Sequence, residues 1–195
     1  MKTVNIALLG FGTVARGTFD LLVGNDELIT NRTDVDIEIS KIYVRNPEKH
    51  ADKPLPEGTV FVTDVDSILN DDSIDIVVEL MGGTTFAREC VEKALKAKKN
   101  VVTANKDLMA EAGPYLLELA QQNQVDLRFE ASVLGAIPII RTIYDSLGGN
   151  QITEIIGIMN GTTNFILSKM TEDGAGYDEV LKEAQELGYA VADPT

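Results

Sequence analysis

The chain has 195 residues, enough for one large domain or one and a fraction. Hydrophobic residues make up 44% and charged residues 25%, a globular composition, while a formal net charge of −14 argues against nucleic acid and anionic membrane surfaces as partners. The single cysteine, Cys90, excludes an internal disulfide and a cysteine metal cluster. Its neighbours look like the buried side of a helix, so it reads as core. No signal peptide or membrane-length apolar run is evident, and a reducing cytoplasm is the expected compartment.

Residues 4–9, apolar apart from Asn5, read as a buried strand. The run breaks into Gly10-x-Gly12-x-x-Ala15 and resumes at helical spacing through Val14, Phe19, Leu21 and Leu22. In this strand–turn–helix setting a glycine fingerprint points to a dinucleotide. Gly10 permits the tight turn, Gly12 lets a pyrophosphate approach the backbone, and Ala15 lets helix and strand pack closely. The helix start adds free N–H groups and a positive dipole end.

Residues 25–34 read as a polar loop and residues 35–44 as the second strand. An NAD site usually has an acid at that strand's end to bind the ribose 2′-hydroxyl. Here stands Arg45, whose guanidinium suits a 2′-phosphate, so NADP is favoured and NAD accepted. The missing acid also weakens a methyltransferase reading. Residues 53–58 are a loop, 64–70 a short helix and 74–80 the third strand, apolar apart from Asp75 and Glu79. Thr84 or Thr85 caps a helix to about residue 98. Residues 100–103 and 126–130 are the fourth and fifth strands, with two helical pieces between them broken at Gly113-Pro114.

This alternation predicts an α/β, Rossmann-like doubly wound parallel sheet over residues 1–135. Ligands then sit at the C-terminal strand ends, where Gly10–Ala15, Arg45, Gly82 to Thr85 and Thr103 to Lys106 fall. Residues 136–195 read as the start of a second, α+β domain. It comprises a strand at 152–159, a capped helix at 160–172 and an amphipathic helix at 177–187, too little to close a domain.

Lys106 leaves the fourth strand at the ligand edge, where a cation can stabilise or protonate a carbonyl. Glu130 ends the fifth strand beside irregular backbone; such a carboxylate suits a hard cation or a helix cap. Asn160-Gly161-Thr162-Thr163-Asn164 opens a helix, with Asn160 a strong N-cap. His50 reads as a surface residue. No serine–histidine arrangement or paired metal ligands can be assembled.

Together Gly10-Phe11-Gly12-Thr13-Val14, Val101-Val102-Thr103-Ala104-Asn105-Lys106, Glu130-Ala131-Ser132-Val133, Gly135-Ala136-Ile137-Pro138, Asn160-Gly161-Thr162-Thr163-Asn164 and Gly188-Tyr189 through Asp193-Pro194-Thr195 resemble homoserine dehydrogenase, in the family's order and along the whole chain. The resemblance implies an enzyme interconverting homoserine and aspartate 4-semialdehyde. It sets Gly10, Phe11, Gly12, Thr13 and Val14 at the pyrophosphate and Arg45 at the adenosine phosphate. Thr84 and the catalytic Lys106 fall on the nicotinamide side, with Gly188 also at the cofactor. Gly161, Thr162 and Tyr189 face the substrate. Glu130, Val133, Gly135 and Ile137 form a sodium or potassium site built largely from carbonyls, in a homodimer.

Two departures stand out. Val191 occupies the position of a family glutamate that contacts the substrate's amino group, and the family's second catalytic lysine is expected beyond Thr195. The 195 residues alone are therefore expected to bind cofactor without turnover. Two other readings remain: an NADP oxidoreductase of similar build acting on a sugar or another semialdehyde, and a non-catalytic dinucleotide-binding module.

Overall fold

The computed structural model describes residues 2–158 and 160–189. Two compact units divide the chain, one running to Arg141 and one from Thr142.

In the first unit six parallel strands run β1 Lys2–Leu9, β2 Val35–Tyr43, β3 Val60–Val62, β4 Ile76–Glu79, β5 Asn100–Thr103 and β6 Leu127–Arg128. Their spatial order is β3-β2-β1-β4-β5-β6, the order of two mononucleotide-binding halves meeting between β1 and β4. The helices are α1 Thr13–Gly24, α2 Asp26–Thr33, α3 Asp66–Leu69, α4 Thr85–Lys96, α5 Lys106–Asn123 and α6 Ile139–Arg141.

Strand alternation splits the core into two layers. Ala7, Leu9, Val77 and Val101 share a cluster with Cys90, Val91 and Leu95 of α4 and Leu108 and Leu116 of α5. Ile6, Leu8 and Val78 instead join Ala15 and Phe19 of α1. Helices thus cover both faces, as a parallel sheet requires. The β1–β2 register slips after Ile6, which pairs with Ile39 while Ala7 pairs with Lys41. The bulged Ser40 returns its hydroxyl to the Ile6 carbonyl. Cys90 is buried as expected, and burial pushes its thiol up to about 11.

Several local expectations give way. The polar loop at 25–34 is α2, whose acidic first turn (Asp26, Glu27) and basic last turn (Arg32) complement the helix dipole. Gly113-Pro114 does not break α5. Proline removes one N–H, but Leu108, Ala112, Leu116, Leu119 and Ala120 bury the helix, and packing outweighs that loss. Residues 60–62, which the pattern assigns to no element, form the edge strand β3, too short to show by periodicity.

In the second unit α7 Gly161–Glu172 and α8 Tyr177–Glu186 bury Ile166, Val180 and Ala184 between them. Asn160 caps α7 as expected, accepting from the Thr163 N–H at 2.8 Å. Residues 151–158 form no strand. A strand needs a hydrogen-bonded neighbour, and among the described residues none lies alongside. Met159, in the expected strand, lies outside the described residues.

One ion pair closes the N-terminal edge of the sheet. Lys41 Nζ lies 2.6 Å from the Asp71 carboxylate, and Lys99 Nζ donates to the Asp71 and Ile74 carbonyls. The Lys41 ammonium, then the Ser73 hydroxyl and N–H, hold the Asp71 carboxyl well below its ordinary value of 3.8. A lowered folded-state value stabilises the fold above the ordinary value, and that contribution is lost as pH falls below it. Asp71→Asn is expected to cost about 1–2 kcal/mol at pH 7, discounted for partial solvent access. It should also flatten the stability-against-pH curve below about pH 4. Urea melts at pH 7 and pH 3 check this; equal losses at both would assign the effect elsewhere.

Candidate functional site

Strand β1 delivers the chain into its turn with Leu9 fully buried. Gly10 has φ +96°, and a Cβ there would meet the Leu80 carbonyl oxygen at 3.1 Å and Met81 Cα at 3.2 Å. Only glycine fits where β1 passes the end of β4. Gly12 differs: φ −80° and ψ −165° suit any residue, and a Cβ would meet nothing within 4 Å. It is the N-cap of α1 with no side-chain cap, and the first helical bond runs from Arg16 N–H to the Gly12 carbonyl at 2.9 Å. The N–H groups of Thr13, Val14 and Ala15 precede that bond, so the helix supplies them no acceptor. Gly12, Thr13 and Val14 are exposed, and no acid stands in the first turn. An open, anion-seeking helix start results.

Phe11, between the two glycines, turns inward and is 3% exposed. Its ring lies edge-on to Phe19, Phe61 and His50 at centroid distances of 5.3–5.5 Å. Only its backbone is therefore available to a phosphate. His50 is not the free surface residue expected. It lies in the turn Pro47–His50, half-buried against Phe61, with Nδ1 at 3.0 Å from an Arg16 guanidinium nitrogen. Guanidinium only donates, so Nδ1 accepts and the proton sits on Nε2. Arg16 also pairs with Asp52 at 2.9 Å and stacks over Phe11. The Asp52 hydrogen bond raises the Arg16 pKa, and the same bond lowers that of Asp52. This cluster ties the loop after β2 to α1. Arg45, in that loop, is exposed and makes no hydrogen bond or ion pair with a described residue.

On the other half of the sheet, Thr84 is the N-cap of α4, with no side-chain cap bond. Lys106 opens α5 after the N-cap Asn105, its side chain 76% exposed and 3.8 Å from Asp107. Beneath them lies Glu79, fully buried, accepting from the Met81 and Gly82 N–H groups and the Thr103 hydroxyl. Sequence reasoning noted Glu79 only as a polar residue in an apolar strand; its place two residues before a Met81-Gly82-Gly83 turn was the available signal.

After β6 the chain turns through the Glu130–Ser132 turn into a loop where Leu134 and Ala136 take φ of 47° and 63°. The Glu130 carboxylate accepts from the Ile140 and Arg141 N–H groups at 3.0 and 2.8 Å, capping α6. The Ile137 carbonyl accepts from the Ile139 N–H. Two of the four groups expected around a cation are thus engaged within the protein. Among the described residues no cluster of three or more acids, histidines or cysteines could hold a metal.

In the second unit Gly161, Thr162 and Tyr189 line one groove of about 600 Å³ along α7. The Thr162 hydroxyl donates to the Tyr189 carbonyl, and the Tyr189 ring tilts against Phe165 at 5.2 Å. Lys169, on the same groove, pairs with Glu183 of α8 at 2.9 Å. Gly188 precedes Tyr189 at φ 76°. Val191 lies outside the described residues. No helix among the described residues is long and apolar enough to cross a membrane.

The comparisons agree with the fold. Residues 10–130 match the model of the homoserine dehydrogenase NAD-binding domain, and residues 138–195 match that of homoserine dehydrogenase. The homoserine dehydrogenase of Bacillus subtilis is 44% identical over 100% of this chain, and that of Lactococcus lactis 48% over 99%. The chain spans 45% of each relative's length. The crystal structure of a homoserine dehydrogenase from Thiobacillus denitrificans superposes with a TM-score of 0.91 at 47% identity, covering 100% of this chain and 45% of that one. A hyperthermophilic archaeal homoserine dehydrogenase in complex with NADPH follows at 0.77 and 26%, covering 98% and 63%. Glycine turn, strand order and both matched segments lead to one conclusion: the chain belongs to the homoserine dehydrogenase family, and its first unit is that family's NAD-binding domain.

Proposed function

We propose that this chain carries the nicotinamide-dinucleotide site, and part of the substrate site, of an oxidoreductase interconverting L-homoserine and L-aspartate 4-semialdehyde. The observation that carries the reading is the open helix start at Gly12, Thr13 and Val14, at the C-terminal end of β1 where the strand order reverses between β1 and β4. When bound, the dinucleotide supplies the hydride acceptor or donor. The residues named here bind, orient and charge-match it. The N–H groups at the start of α1 hold the pyrophosphate, with Val14, 59% exposed, as an apolar contact beside it. Thr84 orients the nicotinamide half, and Lys106 acts as the proton-transferring or charge-stabilising group at the reacting oxygen. Gly161, Thr162 and Tyr189 bind the substrate, supported by their common groove, and Gly188 contacts the cofactor. We assign no turnover to these 195 residues by themselves, because Lys106 is the one proton-transfer candidate among the residues that the family resemblance maps.

A sodium or potassium ion at Glu130, Val133, Gly135 and Ile137 belongs to the same proposal. The irregular backbone around Leu134 and Ala136 supports it, and the ion would order that loop rather than join the chemistry. The exposed Ile152, Ile155, Ile156 and Ile158 support a homodimer, and the compartment proposed with this reading is the cytoplasm.

Arg45 makes NADP the preferred cofactor. NADPH is expected to bind about 10–100-fold more tightly than NADH, the worth of one charge-assisted contact. Arg45→Ala should abolish that difference while leaving NADH binding unchanged. The chain has no tryptophan, so NADPH fluorescence reports binding directly. Equal affinities for the two cofactors, unaltered in Arg45→Ala, would remove Arg45 from the site.

A further inference from the structure

The structure assigns to Glu79 the role of positioning residue for the nicotinamide half of the site, an inference that rests on the reading above. Glu79 ends β4, is fully buried, and pairs with no lysine, arginine or histidine among the described residues. Its hydrogen bonds form a closed ring instead. Oε1 accepts from Met81 N–H at 2.8 Å and Gly82 N–H at 3.3 Å, and Oε2 accepts from Thr103 Oγ1 at 2.7 Å. Thr103 Oγ1 in turn accepts from Asn105 N–H at 3.0 Å, and Asn105 Nδ2 donates to the Gly83 carbonyl at 2.7 Å. Asn105 Oδ1 caps α5 through Leu108 N–H at 3.0 Å.

The ring joins the Met81–Gly83 turn to the start of α5, just beyond the point where the β4–β5 pairing ends at Glu79 and Thr103. Gly82 and Gly83 both have positive φ, at 76° and 72°, and an added Cβ would touch nothing at either. Such a turn has wide conformational freedom and holds one shape only where it is tied. Glu79 ties its N–H groups and Asn105 ties its last carbonyl. Thr84 follows at one end of the ring and Lys106 at the other. β4 and β5 belong to the second mononucleotide-binding half, so the ring sets the ledge on which the nicotinamide half rests. A carboxylate suits this place because it accepts from three donors at once without competing for the N–H groups of α1.

The test separates the two halves of the cofactor. Titrate the purified chain with NADPH and, separately, with adenosine 2′,5′-bisphosphate, which lacks the nicotinamide half. Glu79→Leu is expected to weaken NADPH binding about tenfold or more, with the bisphosphate affinity unchanged within about twofold. Should Glu79→Leu fail to fold, Thr103→Val breaks the same ring with a near-isosteric side chain and should give the same split. Glu79→Gln can keep its oxygen toward Met81 and Gly82 and donate to Thr103, and should recover NADPH binding to within about threefold of wild type. Equal weakening toward both ligands, or no weakening toward either, would overturn the assignment as a merely structural or idle carboxylate. A wild-type chain that binds neither ligand would instead overturn the dinucleotide reading itself.

Discussion

Gly12→Val is expected to abolish dinucleotide binding while leaving the fold intact. The backbone at Gly12 already has dihedrals that a valine adopts, and no atom lies within 4 Å of the position its Cβ would take. The melting temperature should therefore stay within about 2 °C of wild type, as for surface changes away from packed features. The branched side chain would project into the space before the unpaired N–H groups of Thr13, Val14 and Ala15, where a pyrophosphate must come within hydrogen-bond distance. Losing those charge-assisted bonds lowers affinity at least about 100-fold. A thermal melt beside an NADPH titration checks both halves. Undiminished affinity would show that phosphates do not approach here. The contrast with Gly10 is instructive: there the added Cβ meets the backbone of Leu80 and Met81 at positive φ, so substitution strikes the fold.

The two glycines also show what the sequence made legible. Their spacing after an apolar strand identified the turn, and alternating apolar and helical runs gave the parallel sheet, because both patterns reflect local periodicity. What periodicity cannot show is which tertiary surface overrides a local preference. Pro114 remains in a helix because buried neighbours hold it there. The α2 helix buries nothing, so no apolar stripe betrayed it, although Asp26, Glu27 and Arg32 carried a dipole signal. Residues 151–158 have strand-like isoleucines but no described neighbour to pair with.

Site residues divide the same way. The placement of Arg45, Thr84 and Lys106 was legible, because each lies within a few residues of a strand's C-terminal end. Asp75 and Glu79 looked alike in sequence, two acids in one apolar run. Asp75 is exposed and accepts from the Asn5 N–H, whereas Glu79 is sealed beneath a glycine turn. The glycine turn two residues on hints at the difference, and the pairing of β4 with β5, which sets Glu79 opposite Thr103, establishes it.

Phe11→Ala should produce the largest loss of stability among single substitutions near the site. Residues between the fingerprint glycines are usually thought of by their backbone, and the resemblance accordingly set Phe11 at the pyrophosphate. Its ring belongs to the core on the α1 side of the sheet, with Leu8, Ala15, Phe19 and Ile42. His50 and Phe61 meet it edge-on, and the Arg16 guanidinium stacks on it at 5.3 Å. Truncation leaves a cavity that these neighbours cannot all close, because His50 and Arg16 are fixed to each other and Arg16 to Asp52. The expected cost is about 3–5 kcal/mol, the range for a buried phenylalanine. For a chain of this size that lowers the melting temperature by roughly 6–20 °C. Phe11→Leu keeps most of the volume and should cost about 1–2 kcal/mol. Below its melting temperature the alanine variant should also bind NADPH less tightly, since the loop bearing Arg45 is held to α1 through this ring cluster. Calorimetry on both variants decides the matter: a Phe11→Ala loss below about 1 kcal/mol would mean that the ring does not hold the turn in place.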